Sequence, residues 1–256
     1  MHPILFSIGP LTLYTYGVML AIAFTVSTWL AARAARRMPP ERVAISAGQL
    51  WDFSSVALFG GIAGGRLFYV LLHWEWFLDS PQDIIAIWRG GLVWYGGFLG
   101  GVLAGWGYVR AKRLVFLRVL DQLIPFVALG HAIGRVGCFF NGCCYGRVTQ
   151  AWCGVVFPGQ SLPVLPTQLM EAGGLLVLFF GLRKMTQRPW VLSRPGRLLG
   201  LYLVSYAGLR FAIEFLRGDQ SVLWAGLTLQ QLISLGVFLA GLCLLKKCQT
   251  PFAKDV

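Results

Sequence analysis

Seven apolar stretches constrain this chain more than any other feature of it: about 11–33, 49–73, 91–109, 119–140, 167–183, 198–217 and 225–245. A helix needs about 20 apolar residues to cross roughly 30 Å of hydrocarbon. Lipid offers no partner for a bare backbone amide, so only helices and closed barrels span it. The stretches lack the two-residue alternation of barrel strands, so each reads as a helix. Helix breakers fall between them: Pro39-Pro40, Pro81, the run from Pro158 to Pro166, and Arg194-Pro195-Gly196. With 57% of 256 residues apolar and only 12% charged, the chain lacks the polar surface a soluble domain of this length needs. The predicted class is an all-α polytopic membrane protein, a bundle of seven transmembrane helices forming one domain over 1–256. The first residues, MHPILFSIGP, have no basic n-region and no small-residue cleavage site follows, so the first span is expected to insert and stay.

A formal net charge of +12 suggests nucleic acid only if the basic residues form a soluble patch. Here they fall in short loops. Arg33, Arg36, Arg37 and Arg42 follow the first span, and Arg110, Lys112, Arg113 and Arg118 the third. Arg183, Lys184, Arg188, Arg194 and Arg197 follow the fifth, and Lys246, Lys247 and Lys254 the seventh. The loops of the other side hold Arg89 and Arg147. The positive-inside rule then puts the N-terminus outside and the C-terminus in the cytoplasm. Trp74, Trp76, Trp88 and Trp94 crowd the outer ends of spans 2 and 3 as an interfacial belt, and 74–87 reads as a helix lying on that surface.

This topology sends the costly side chains to the outer half of the bilayer. Arg66 lies in the outer half of span 2, His131 and Arg135 in that of span 4, and Asn141 and Cys143 at its mouth. Gln168 and Glu171 open span 5, Tyr16 lies near the start of span 1, and Arg210, Glu214 and Arg217 are spaced to share one face of span 6. A charge at such depth marks a functional site by default. Arg210–Glu214 reads equally as a structural ion pair, and Arg66 beside Gly64-Gly65 as a packing or snorkelling residue. Four arginines against two well-placed carboxylates nonetheless imply an anionic ligand, and the planar guanidinium fork suits a lipid phosphate.

Gly60-Gly61 and Gly64-Gly65 permit close helix approach. Gly90-Gly91, Gly96-Gly97 and Gly100-Gly101 open span 3, where backbone amides cradle phosphate in other proteins. The six cysteines lack zinc-ribbon spacing and do not form a secreted disulfide framework. On the outer side a Cys143–Cys153 or Cys144–Cys153 bridge is expected; Cys243 and Cys248 read as small, reduced, apolar residues.

Several segments together resemble one family. They are HPILFSIGPLTLYTYGVM, GGRLFYVL, GGLVWYGGFLGG, GHAIGRVGCFFNGCCYG, LPTQLMEA and YAGLRFAIEFLRGD, covering nearly the whole chain. The chain resembles prolipoprotein diacylglyceryl transferases of the bacterial cytoplasmic (inner) membrane. The resemblance implies a seven-span bundle with a small outer head and a site towards the outer leaflet. It implies transfer of a diacylglyceryl group from phosphatidylglycerol to the lipobox cysteine of a prolipoprotein signal peptide, forming a thioether and releasing glycerol phosphate. The partners implied are those two substrates and the bilayer, with no nucleic acid, metal or cofactor.

By the same resemblance Arg135 and Arg210 match the family's two key arginines, thought to hold the lipid head group, and Tyr16, Asn141, Gly146 and Glu214 match family positions. The family commonly has histidine where Tyr95 stands, and Asn-Gly-Glu where this chain reads Asn141-Gly142-Cys143. Tyr95 or His131 is therefore the expected base, with Arg135, Arg210 and Glu214 completing the catalytic set. Gly96, Gly97, Arg66, Arg217 and Glu171 join Arg135, Tyr16, Asn141 and Gly146 as expected substrate-binding residues. Two other readings use the same residues: a membrane thiol oxidase with outer-face cysteines, which needs a better redox pair than Cys143-Cys144, and an anionic-lipid transporter, which usually shows the internal symmetry absent here.

Overall fold

The computed structural model describes residues 4–8, 11–218 and 220–247. His2, Pro3, Asp219, Cys248 and Lys254 lie outside the described residues. Nine helices run in order through what is described: α1 Thr15–Ala35, α2 Ala47–Leu72, α3 Trp74–Asp79, α4 Trp94–Ala111, α5 Phe116–Asn141, α6 Thr167–Met185, α7 Pro189–Leu192, α8 Arg197–Glu214 and α9 Leu229–Lys247. Each apolar stretch overlies a helix of at least 18 residues. Four helices are long and apolar enough to cross a membrane: Thr15–Ala35, Pro40–Leu72, Phe116–Asn141 and Leu229–Lys247. The other three long helices are diluted by glycines in α4 and by Glu171, Arg183 and Lys184 in α6 or Arg197, Arg210 and Glu214 in α8. The chain is a helical, polytopic membrane protein.

Two hairpins depart from the expected spans. Residues 11–14 and 222–228 are not helix. β1 (Ile4–Ile8) pairs antiparallel with β2 (Leu11–Tyr14), and β3 (Val222–Trp224) with β4 (Leu227–Thr228). Ala225 and Gly226, with φ of 48° and 78°, form the two-residue turn whose twist matches the flanking strands. The surface helix expected over 74–87 is broken as well. α3 stops at Asp79 because Ser80 precedes Pro81, whose ring disfavours helical backbone before it; two 3-10 turns follow. α8 ends at Glu214, so Arg217 sits on the turn after the helix, not on its face.

The chain divides into two compact units, one of Met1–Leu30 with Leu120–Val256, the other Ala31–Val119. In the second unit α2 and α4 meet through glycines. A Cβ on Gly64 would overlap the Gly96 carbonyl and lie 2.9 Å from the Gly100 Cα. The small residues bring the backbones together, as they do where lipid gives no hydrophobic drive for helices to associate.

In the first unit Ile124, Ala128, Leu182, Val191, Leu198 and Tyr202 form a core drawn from α5 to α8. Asp121 on α5 accepts hydrogen bonds from the Gly196 and Leu199 amides at 2.6 and 2.8 Å, capping the N-terminus of α8 in place of a local cap. Between α5 and α6 the loop folds back on itself through antiparallel bridges of Val164 to Val148 and Val155. Phe157 closes it, buried against the Phe139 and Tyr145 rings. Large apolar residues such as Val177 and Phe180 face outward while Gln168, Glu171, Arg210 and Glu214 are buried. That inverted distribution is what hydrocarbon surroundings demand.

Candidate active site

The first unit gathers its buried charges around α5, α6 and α8. Glu171, 2% exposed in the first turns of α6, is the hub. Its Oε1 lies 3.1 Å from Arg135 Nη2 and 3.9 Å from His131 Nε2, and accepts a hydrogen bond from the Tyr206 hydroxyl at 3.4 Å. His131 and Arg135 are four residues apart, hence on one face of α5. The His131 ring stands edge-on to Tyr206 at 5.1 Å.

On α8, Arg210 Nη2 lies 2.9 Å from Glu214 Oε2 one turn on. The Thr228 hydroxyl donates to Glu214 Oε1 at 2.8 Å. Thr228 is itself fixed at the start of α9: its amide donates to Gln231 Oε1, and its hydroxyl accepts from the Gln231 amide. His131 and Tyr206 each interact electrostatically with both Arg135 and Arg210, so the two ion pairs share neighbours.

Arg135 and Arg210 therefore each have a carboxylate, Glu171 and Glu214. What remains is directional. Arg135 Nε and Arg210 Nη1 are buried guanidinium donors without a hydrogen-bond partner. Such groups carry a desolvation cost of about 1–3 kcal/mol, more when charged, until something accepts from them.

Tyr16 opens α1 and packs on α5 at Gly137, where an added Cβ would lie 3.4 Å from its ring. It interacts electrostatically with Arg135 and with Cys138, Cys143 and Cys144. Asn141, the last residue of α5, is exposed. Gly146 is buried where a Cβ would meet the Leu216 carbonyl at 2.6 Å and Thr167 at 2.8 Å. Two side chains at the start of α6 hold that loop: Gln168 Nε2 donates to the Cys143 carbonyl at 2.6 Å and Thr167 Oγ1 to the Cys144 carbonyl at 3.0 Å.

The expected bridge to Cys153 does not form. Cys138, Cys143, Cys144, Cys153 and Cys243 are all free thiols. Cys143 and Cys144 turn towards Cys138 instead, and hydrogen bonds with the Cys138 and Cys144 thiols hold the Cys143 thiol well below its usual range.

The second unit holds the remaining candidates. Arg66 spends its guanidinium on backbone carbonyls: Nε on Ile84 at 2.8 Å, Nη1 on Gly90 and Gly91 at 2.7 and 3.1 Å, and Nη2 on Asp83. It straps the loop before α4 to α2. Gly96 and Gly97 lie in the first turn of α4. The Gly97 amide bonds to the Val93 carbonyl, and a Cβ on Gly96 would meet Phe68 and the Gly64 carbonyl at 2.5 Å. Tyr95 is exposed on that turn, its ring 5.3 Å from Trp94.

Two residues of the first unit escaped sequence reasoning. Tyr206 had a signal: Tyr202, Tyr206, Arg210 and Glu214 recur every four residues along α8. Thr228 had none, because its contact depends on how the β3–β4 hairpin delivers α9 to the end of α8.

The family model for prolipoprotein diacylglyceryl transferase matches residues 3–246. A phosphatidylglycerol–prolipoprotein diacylglyceryl transferase of Pseudoalteromonas atlantica is 37% identical over 254 residues, covering 95% of this chain and 88% of the relative. Proteins of the same name from Cupriavidus pinatubonensis and Vibrio cholerae are 35% and 36% identical, covering 94% and 95% of this chain and 89% and 90% of their own lengths. A match that runs from residue 3 to 246 takes in every helix that carries the two arginine–glutamate pairs, and it places the chain in the prolipoprotein diacylglyceryl transferase family.

Proposed function

We propose that this protein transfers the diacylglyceryl group of phosphatidylglycerol to the lipobox cysteine thiol of a prolipoprotein, at the outer leaflet of the bacterial cytoplasmic membrane. The curated relatives carry both substrates in their names. A single domain of seven spans, N-terminus outside and C-terminus in the cytoplasm, agrees with the basic residues at the C-terminal ends of α1, α4, α6 and α9. In that orientation the start of α6 and the ends of α5 and α8 all lie towards the outer leaflet, with Glu171, Arg135 and Arg210.

The observation that carries the mechanism is the pair of buried, unpartnered donors, Arg135 Nε and Arg210 Nη1. The substrate sulfur attacks C3 of the glycerol, and the bond from that carbon to the phosphate oxygen breaks. The thioether forms as glycerol phosphate leaves. The phosphate oxygens gain negative charge along this path, so donors aimed at them stabilise the transition state more than the bound lipid. Glu171 and Glu214 fix the two guanidinium groups. Tyr206 and Thr228 are positioning residues that hold those carboxylates. The thiol proton passes to His131, whose ring Glu171 and Tyr206 hold; Tyr95 is the second candidate. Tyr16 and Asn141, at the ends of α1 and α5, line the approach of substrate, with Arg217 on the turn beyond α8.

Phosphatidylglycerol labelled in its esterified glycerol, supplied with a lipobox peptide, tests the reaction. Label is expected on the peptide cysteine as a thioether. Label on a Cys→Ser peptide would overturn the thiol mechanism. Lipid movement without any thioether would move the assignment to a transporter.

A further inference from the structure

The three thiols at the end of α5 take no part in the proposed reaction, whose nucleophile belongs to the substrate. Their sulfur atoms all lie within 4.8 Å of one another. The Cys144 and Cys143 sulfurs are 3.5 Å apart, and Cys143 Sγ is 3.7 Å from the Cys138 carbonyl. Three thiolates around one ion with bonds of about 2.3 Å stand roughly 3.8–4.0 Å apart, by simple tetrahedral or trigonal geometry. The Cys143–Cys144 spacing of 3.5 Å lies close to that value, and neither sulfur is more than 4.8 Å from that of Cys138. A disulfide, by contrast, needs its sulfurs at about 2.05 Å.

The backbone is arranged for this convergence. Gly142 and Cys144 both have positive φ, 71° and 65°, which reverses the chain directly after the helix. The left-handed region disfavours a residue with a Cβ, so Cys144 is held there by its surroundings. The holding contacts are Gln168 on the Cys143 carbonyl and Thr167 on the Cys144 carbonyl, both from α6. Hydrogen bonds one step behind the ligand atoms orient the ligating residues in metal sites.

We propose that Cys138, Cys143 and Cys144 form a binding site for one soft, thiophilic d10 cation of the Cu+, Zn2+ or Cd2+ type. Soft thiolates select such ions over hard ones. Binding releases the thiol protons and leaves a small anionic thiolate–metal group next to Arg135.

Cadmium is the probe. Reduced, detergent-solubilised protein is titrated with Cd2+ while the ultraviolet thiolate-to-metal absorption is followed. One equivalent is expected to saturate the signal. Cys153→Ser should leave that end point in place and Cys144→Ser should abolish it. A parallel measurement needs no variant: Cd2+-loaded wild-type protein is alkylated and its peptides are weighed. Cys138, Cys143 and Cys144 are expected to be protected while Cys153 reacts. Absence of a saturable end point, an end point that survives Cys144→Ser, or equal alkylation of all cysteines with and without Cd2+ would overturn the proposal.

Discussion

Arg135→Lys separates the charge of this residue from its shape. The wild-type guanidinium gives Nη2 to Glu171 at 3.1 Å and keeps Nε without a partner. A lysine still supplies a cation to Glu171, but it has no second planar edge to present to a phosphate. The loss is one charge-assisted hydrogen bond that strengthens as the phosphate leaves, about 2–3 kcal/mol. At about 1.4 kcal/mol per decade, kcat/KM should fall on the order of 100-fold. Stability should hardly move, because Glu171 keeps its partner; a melting shift of no more than about 4 °C is expected. Arg135→Ala is the contrasting variant. It leaves Glu171, 2% exposed, without its cation, and should cost about 3–5 kcal/mol of stability as well as activity. The assay is thioether formation on a lipobox peptide, with thermal unfolding of each variant in the same detergent. Turnover of Arg135→Lys within about threefold of wild type would show that the unpartnered Nε has no catalytic role, and the account of a guanidinium edge reserved for phosphate would be wrong.

Other perturbations test other contacts. His131→Phe keeps the ring on Tyr206 and removes the proton acceptor, so kcat should drop by about 100-fold or more, against less than about threefold for Tyr95→Phe; the opposite ranking in single-turnover kinetics would move the base to Tyr95. Tyr206→Phe deletes a long hydrogen bond, 3.4 Å, to Glu171 and should cost at most about 1 kcal/mol in thermal unfolding. Asp121→Asn weakens the carboxylate cap on the Gly196 and Leu199 amides, so melting should fall by an amount equal to about 1–2 kcal/mol; an unchanged melting temperature would dismiss the cap. Gly64→Ala forces a methyl into the Gly96 carbonyl and should cost about 1–3 kcal/mol through separation of α2 from α4, read as earlier unfolding or easier proteolysis of the 31–119 unit.

Much of the helical framework was legible because the membrane signal is long. A 20-residue apolar run survives averaging, whereas a four-residue strand such as Leu11–Tyr14 does not, and so β1–β2 and β3–β4 were absorbed into the neighbouring spans. Arg135 and Arg210 stood out for an energetic reason, since a cation in an apolar helix must have a purpose. The Arg210–Glu214 contact was legible too, being a local one at i, i+4. The Arg135–Glu171 contact was not, because it joins α5 to α6 across a folded loop. The contacts of Arg66 were not legible either: its guanidinium donates to loop carbonyls, and no sequence pattern reports where loop carbonyls will point. The cysteines failed in the same way. Sequence spacing pointed to Cys153, but the left-handed turn at Gly142 and Cys144 sends the adjacent pair back to Cys138.

The pairing of Arg135 with Glu171 and of Arg210 with Glu214 sharpens the mechanism. A guanidinium with no carboxylate would bind any anion at that depth, the phosphodiester of the intact lipid included, and would be costly to bury empty. Pairing each arginine with a glutamate lowers that cost and holds the planar group in one orientation. It also cancels most of the long-range field while leaving one buried N–H donor of each without a partner. The remaining attraction is short-range and directional, so it depends on where an oxygen sits and how much charge it carries. A phosphodiester brings one negative charge shared between two oxygens. The departing monoester brings nearly two, and its new charge develops on the oxygen that has just left carbon. Buried, oriented donors reward that change more than they reward ground-state binding, which is the condition for raising kcat rather than only lowering KM. On this reasoning Glu171 and Glu214 do not compete with substrate for the arginines. They convert two general anion traps into two fixed edges, and removing either carboxylate should tighten binding of phosphatidylglycerol while slowing its turnover.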